Sequence, residues 1–382
     1  MKKIILCYIL LNQSNSLFCF QNSYLYFNSY FMMNKFLKEI FEQPRVLKET
    51  LDYYLHGEGK IILEKVSAVW EKGKFDEVIF TGMGSSFFAP HTACCVLSNY
   101  GVVSRTINAG ELLHYHLPLL RNKALITCIS QSGESYEVVK ILEKISAGLT
   151  CIGITNEENS TLARKAAIAL LSKAGREEMT STKTYVSTLL VLSIFSRILT
   201  GRWKHGPMQE LNGTIEAVGE LINNREEWLS PAMDVLGHPS FVQIIGRGPS
   251  YSSVLQGALM IMEAARNPAA GIYGGEFRHG PMEMSKKGFR AIILAPVGAT
   301  YGQGIKLAED ITRFGGRVVV ITNSLASFSN PDIFPIRIPC QDEYLFPIPA
   351  IIPLQFIVNR WAVDEGREPG NFMMGAKVTT TE

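Results

Sequence analysis

Charge is scarce in this 382-residue chain: Lys, Arg, Asp and Glu make up 19% of it and nearly cancel, leaving a net +2. No basic run or Lys/Arg stripe stands out, so nucleic acid is not an expected partner and any anion must be caught locally. Cysteine is sparse too. Cys7, Cys19, Cys94, Cys95, Cys128, Cys151 and Cys340 are odd in number and lack C-x-x-C spacing, which speaks for a reduced, cytoplasmic chain. There is no G-x-x-x-x-G-K-[ST] loop, and Phe87 stands where a dinucleotide fingerprint would place its third glycine after Gly82-Met83-Gly84. No His/Cys/Asp cluster has metal-ligand spacing, so no cofactor is expected. No long apolar run is present either. Ile4 to Leu11 follows Met1-Lys2-Lys3 in the manner of a signal peptide, but it is too short to span a bilayer and no small-x-small cleavage site follows. Residues 1–32 are read as an extension, disordered or placed before the true start at Met32 or Met33, and no membrane partner is expected.

What is present is ordinary globular material, 47% hydrophobic, in a length that predicts two domains. Glu77 to Thr81, Ala124 to Ile129 and Cys151 to Thr155 read as strands, each closed by a Gly, Ser or Asn turn. Tyr136 to Ile145 is helical, with Val138, Val139, Ile141 and Leu142 on one side. Strand, turn, helix, strand is the pattern of an α/β parallel sheet. The second half repeats it at Phe241 to Ile245, Ala291 to Leu294 and Val318 to Thr322. Gly82 to Gly246, Ile126 to Ile292 and Asn156 to Asn323 are about 164, 166 and 167 positions apart, which points to a duplicated domain. The expected division is 33–229, 230–366 and a tail 367–382. An opening helix over Met33 to Tyr54 is interrupted at Pro44. A connecting helix spans Glu210 to Trp228, and a turn-rich boundary runs from Ser230-Pro231 to Ser240.

Ser130-Gln131-Ser132-Gly133-Glu134-Ser135 follows a strand and opens a helix. Helix N-termini at the C-terminal ends of parallel strands offer free N–H donors to anions. Gly133 lets the backbone come close, and the serines add hydroxyls. Ser and Gly also cap helices everywhere. Here Gly84-Ser85-Ser86 and Ser181-Thr182-Lys183-Thr184 bring further hydroxyl clusters to the same half, favouring a compact phosphomonoester. The matching turn in the second half, Ala295-Pro296-Val297-Gly298-Ala299-Thr300, has lost most of its hydroxyls.

The Ser-Gln-Ser-Gly-Glu-Ser turn, the duplication, and Gly274-Gly275-Glu276-Phe277-Arg278-His279-Gly280-Pro281 together resemble the sugar isomerase (SIS) family. The chain looks most like the isomerase half of glucosamine-fructose-6-phosphate aminotransferases and their stand-alone amino-sugar-phosphate deaminase relatives. The resemblance runs from Ile40 to Thr379. It implies two tandem SIS domains, each a doubly wound, flavodoxin-like parallel sheet flanked by helices. It implies phosphate contacts at Ser86, Ser130, Gln131, Ser132 and Ser135, and a sugar contact at Ser181.

Three catalytic positions come with the resemblance. Glu263 closes the apolar stretch Leu255 to Met262. Read alone, it is either a desolvated base of raised pKa or a glutamate on the helix's exposed edge. The resemblance implies a base moving a proton between C1 and C2. His279 has a near-duplicate in Lys204-His205-Gly206-Pro207, and the residues alone do not choose between the two. The resemblance implies that His279 opens the sugar ring from the neighbouring subunit of a homodimer. Lys377 would ordinarily be a solvated tail charge; the resemblance implies imine formation with the open-chain ketose.

Full aminotransferases of this family carry an N-terminal glutaminase, for which the residues before Met33 leave no room. Their pattern also has a lysine three residues before the catalytic glutamate, where this chain has Met260. The expectation is therefore an enzyme that deaminates an amino-sugar 6-phosphate, glucosamine 6-phosphate above all, to fructose 6-phosphate and ammonia. A fructosamine-6-phosphate deglycase, an aminotransferase isomerase subunit and a non-catalytic sugar-phosphate sensor are the alternatives.

Overall fold

The computed structural model describes residues 33–121, 123–145, 149–205, 208–374 and 376–379. The expected extension at 1–32, Gly206 and Pro207 of the second His-Gly-Pro phrase, and Gly375 lie outside them. The chain opens with α1 (Lys35–Phe41) and α2 (Gln43–His56). The break falls at Glu42 rather than at the proline. Pro44 is the second residue of α2, where its missing N–H costs nothing because first-turn donors have no helical acceptor.

Two five-stranded sheets follow, both wholly parallel. The front sheet comprises β1 (Glu77–Gly82), β2 (Ser104–Asn108), β3 (Ala124–Ile129), β4 (Cys151–Thr155) and β5 (Ile168–Leu171), ordered β2-β1-β3-β4-β5. The rear sheet comprises β6 (Val242–Gly246), β7 (Ala269–Tyr273), β8 (Arg290–Leu294), β9 (Arg317–Thr322) and β10 (Ile333–Arg337), ordered β10-β9-β8-β6-β7. Each strand's counterpart occupies the same place, so the repeat is structural as well as sequential. This is the doubly wound, flavodoxin-like order, whose crevice opens where the strand order reverses. In the front sheet that point lies between β1 and β3, the strands that feed the two serine turns. β1, β3 and β4 are buried at every residue, which is why they are apolar runs without alternation. Pro335 is tolerated in β10 because that strand lies at the sheet edge.

Helices α3 (Tyr136–Lys144) and α4 (Lys183–Leu199) belong to the front lobe, and α5 (Met208–Asn223) and α6 (Arg225–Leu236) lead to the rear one. The expected connecting helix is thus two helices, broken at Asn224. The expected turn at Ser230-Pro231 is helical: α6 runs through Pro231 to Leu236 and stops at Gly237, where φ is 58°. Trp228, Ala232 and Leu236, spaced four apart, bury one face of α6 and hold it continuous across the proline. In the rear lobe lie α7 (Tyr251–Met260) and α8 (Pro347–Asp364). α2, α4, α5 and α8 contribute to one hydrophobic cluster that spans both lobes. Within it the side-chain amide of Gln43 in α2 donates to Gln355 Oε1 of α8 at 2.6 Å, satisfying two buried polar groups together. No described helix is long and apolar enough to cross a membrane. The described cysteines, Cys94, Cys95, Cys128, Cys151 and Cys340, are free thiols.

Candidate active site

The turn after β3 is built to stay open. Ser130 is buried; its Oγ accepts from Gly133 N–H at 3.1 Å and lies 3.0 Å from Ser135 Oγ, drawing the turn into a tight loop. Gly133 has φ +65° and any Cβ there would collide with the Ser160 hydroxyl, so only glycine fits. Glu134 turns away and accepts from Thr161 N–H at 2.6 Å. Asn156 N–H and Thr155 Oγ1 both donate to Gln131 O, at 3.0 and 3.2 Å. Ser132 N–H, three residues beyond the end of β3, meets no acceptor among the described residues. Donors left open in this way are what an anion would complete.

Across the cleft, α7 does not continue as an α-helix to Glu263. At Ile261 it widens into a π-helical turn, Ile261–Ala265, ended by Arg266 at φ 57°. Such bulges re-aim side chains and recur at functional sites. Here the turn aims Glu263 at the front lobe, where the Thr180 hydroxyl donates to its carboxylate. Burial raises the Glu263 pKa, with the Thr180 hydrogen bond and the Lys377 charge opposing. The carboxyl is therefore a stronger base than a solvated glutamate.

The tail closes the site. Asn371 O accepts from Arg266 Nη2 at 3.0 Å, and Thr379 O accepts from Tyr136 N–H, the first donor of α3, at 3.1 Å. Between these anchors Lys377 Nζ donates to Glu177 Oε2 at 2.8 Å and to Met179 O at 2.6 Å. Glu177 is fully buried and also accepts from the N–H groups of Thr182 and Thr184 and from both their hydroxyls, 2.6–3.1 Å away. It caps α4 from a distance while holding the lysine. Glu39 lies next to it and accepts from Glu178 N–H at 2.5 Å. Its pKa is pushed up to about 7, by burial first and by the Glu177 charge second, with the backbone N–H of Glu178 and the Lys377 charge opposing.

One cavity of about 210 Å³ lies between the serine turns, Glu263 and the tail. Ser85, Ser86, Gln131, Ser132, Ser135, Glu137, Thr180, Ser181, Glu263 and Lys377 are among its walls. Seven of the nine residues singled out from the sequence therefore meet there. Ser130 lies behind the loop it shapes. His279 is exposed, at the end of the short helix Gly274–Arg278, and does not line the cavity of its own chain. Glu177, Glu39, Thr180 and Glu137 were not singled out. Arg176-Glu177-Glu178 reads as a solvated charged run, and only the density of hydroxyls at Thr180 to Thr184 signals that a carboxylate is to be satisfied there. Among the described residues no group of His, Cys, Asp and Glu could hold a metal ion.

The SIS domain description matches residues 74–196 and 239–360, one copy per lobe. A glutamine–fructose-6-phosphate aminotransferase (isomerizing) of Pyrococcus horikoshii is 32% identical over 352 residues, 91% of this chain and 57% of that protein. Its Thermococcus kodakarensis counterpart is 28% identical over 91% of this chain and 58% of its own length. The chain thus spans somewhat over half the length of the curated relatives it matches. Among solved structures, the C-terminal domain of the Francisella tularensis glucosamine-fructose-6-phosphate aminotransferase superposes with TM-score 0.77 at 22% identity, covering 88% of this chain and 98% of that one. A Thermotoga maritima glucosamine-6-phosphate deaminase superposes with TM-score 0.68 at 23% identity, covering 90% and 99%. With one copy of the domain matched in each sheet, the chain belongs to the SIS domain family.

Proposed function

We propose that this chain deaminates and isomerises an amino-sugar 6-phosphate, converting glucosamine 6-phosphate and water to fructose 6-phosphate and ammonia. One observation carries the reading: the Glu263 carboxylate and the Lys377 amine line the same cavity as the serine turns. The turns hold the phosphate at one end of the sugar, leaving C1 and C2 to the carboxylate and the amine. With the ring open, Glu263 takes the C2 proton and delivers it to C1. The C1 aldehyde becomes an alcohol and C2 becomes an imine, an internal exchange that needs no outside oxidant. Lys377 displaces ammonia at C2, and water hydrolyses the resulting ketose imine. His279 of a second copy opens the ring, in a homodimer that shares its sites.

The curated relatives carry aminotransferase names, which favours the same site running toward synthesis. Against that direction stands Met260, fully buried and apolar where the resemblance implies a lysine. Purified protein offered glucosamine 6-phosphate, galactosamine 6-phosphate and a fructosamine 6-phosphate separately should release ammonia with the first, and Glu263→Gln should abolish most of it. Equal turnover in Glu263→Gln would remove the carboxylate from the mechanism. Fructose 6-phosphate with ammonia, yielding amino sugar faster than the reverse, would establish the synthetic direction instead.

A further inference from the structure

Five carboxylates are buried among the described residues, and four are matched by protein donors. Glu77 is paired with Arg105 and Arg121, Glu39 with the backbone N–H of Glu178 and Met179, and Asp310 with Arg278, Lys306 and Arg313. Glu177 holds Lys377 and the Thr182 and Thr184 donors. Glu137 is the exception. It is the second residue of α3 and only 6% exposed, yet its Oε2 has no hydrogen-bond partner among the described residues. It is also part of the cavity wall, beside Ser132 and Ser135.

A buried acceptor without a donor is costly, and native structures keep one chiefly where something else completes it. An acid in the first turn of a helix is favourable in itself, but that benefit does not require burial on a cavity wall. A donor, O–H or N–H, would complete Oε2, and the cavity that Glu137 lines is where a ligand presents one. The partner cannot be a bare anion, which the carboxylate repels. A ligand that satisfies the serine turn and Glu137 together has to carry an anionic group and a donor on one small skeleton.

We propose that Glu137 is a specificity-determining residue that accepts a hydrogen bond from a hydroxyl or ammonium group of the bound sugar, so that the cavity selects phosphorylated polyols over free phosphate. The proposal rests on the sugar-phosphate reading above and adds a residue to it. Carboxylate and phosphate oppose one another within one site, so removing the carboxylate should move two ligands in opposite directions.

Calorimetric titration of the full chain tests this with inorganic phosphate, glucitol 6-phosphate and 2-amino-2-deoxyglucitol 6-phosphate, using wild type, Glu137→Gln and Glu137→Ala. Both variants should weaken the alditol phosphates about tenfold, since the lost hydrogen bond has a charged acceptor, while free phosphate binds as well as before or more tightly. A larger loss for the amino alditol identifies ammonium as the donor; equal losses identify a hydroxyl. Unchanged alditol affinity, or a parallel loss for all three ligands, overturns the proposal. So does weakened self-association at unchanged affinity, which would give Glu137 to a second copy's side chain. Glu137→Gln keeps the side chain's shape, and its circular dichroism and melting show whether the fold is retained should the alanine variant not fold. If wild type binds neither alditol phosphate, the sugar-phosphate reading itself fails, and this inference with it.

Discussion

The two lobes share a topology but use the turn after the third strand in opposite ways. In the front lobe Ser132 lines the cavity, and its N–H, three residues beyond the end of β3, meets no acceptor among the described residues. In the rear lobe Val297 N–H, three residues beyond the end of β8, is taken by Asn323 Oδ1 at 2.6 Å, and Ala299 N–H by Glu343 Oε2 at 3.3 Å. Gly298 lies so close to Glu343 that a Cβ would collide with the carboxylate. Asn323 and Glu343 bring acceptors to the rear turn from other segments, whereas Ser132 N–H of the front turn has none among the described residues. The rear lobe instead widens a helix to bring Glu263 across the cleft. On the function proposed above, duplication separated binding from chemistry: one copy kept the cradle, and the other filled its cradle and supplied the base.

That division can be broken in four ways. The largest effect is expected from Glu263→Gln. It should cut kcat by about 10²–10⁴ while leaving the calorimetric affinity for glucitol 6-phosphate intact, and a proportional loss of affinity would join binding and chemistry again. Next comes Glu177→Ala, which removes the buried partner of Lys377 and the remote cap of α4. Urea unfolding should show a loss of about 3 kcal/mol at unchanged m; a loss under 1 kcal/mol would make the ion pair incidental. Ser132→Ala and Ser135→Ala should each weaken binding of inorganic phosphate and of alditol phosphates about 10–100-fold, the weight of a hydrogen bond to a charged group. Their rear-lobe counterparts, Val297→Ala and Thr300→Ala, should leave both affinities unchanged. Equal losses from the two sets would erase the distinction between the lobes.

The smallest effect concerns pH. The folded-state pKa of Glu39 is raised from 4.5 to about 7, chiefly by burial. The native chain therefore holds an extra proton between those values, and its contribution to stability falls as pH rises through that window. Thermal midpoints should drop by a few degrees between pH 5 and pH 8, and Glu39→Gln should flatten the slope. A slope that survives the substitution assigns the titration elsewhere.

Much of this arrangement was legible in the sequence. Parallel strands buried on both faces write themselves as apolar runs, so β1, β3, β4 and their repeats stood out, and the spacing between Asn156 and Asn323 exposed the duplication. The serine turn was legible because its chemistry is local. Pro231 misled because burial of Trp228 and Leu236 overrides a local breaker. Glu177, Glu39 and Glu137 were illegible for another reason. Each looks like a surface acid until the fold shows what surrounds it, and Glu177 meets Lys377 from 200 positions away. The π-helical turn at Glu263 has no sequence signature of its own. Only the apolar stretch before it foretold the burial that raises its pKa.

A crystal structure of the full chain with glucitol 6-phosphate would test the division of labour most directly. The phosphate is expected on Ser86, Gln131, Ser132 and Ser135, with C1 and C2 lying between Glu263 and Lys377. A phosphate seated in the rear turn, Ala295 to Thr300, or a sugar chain whose C1 end points away from Glu263, would contradict it.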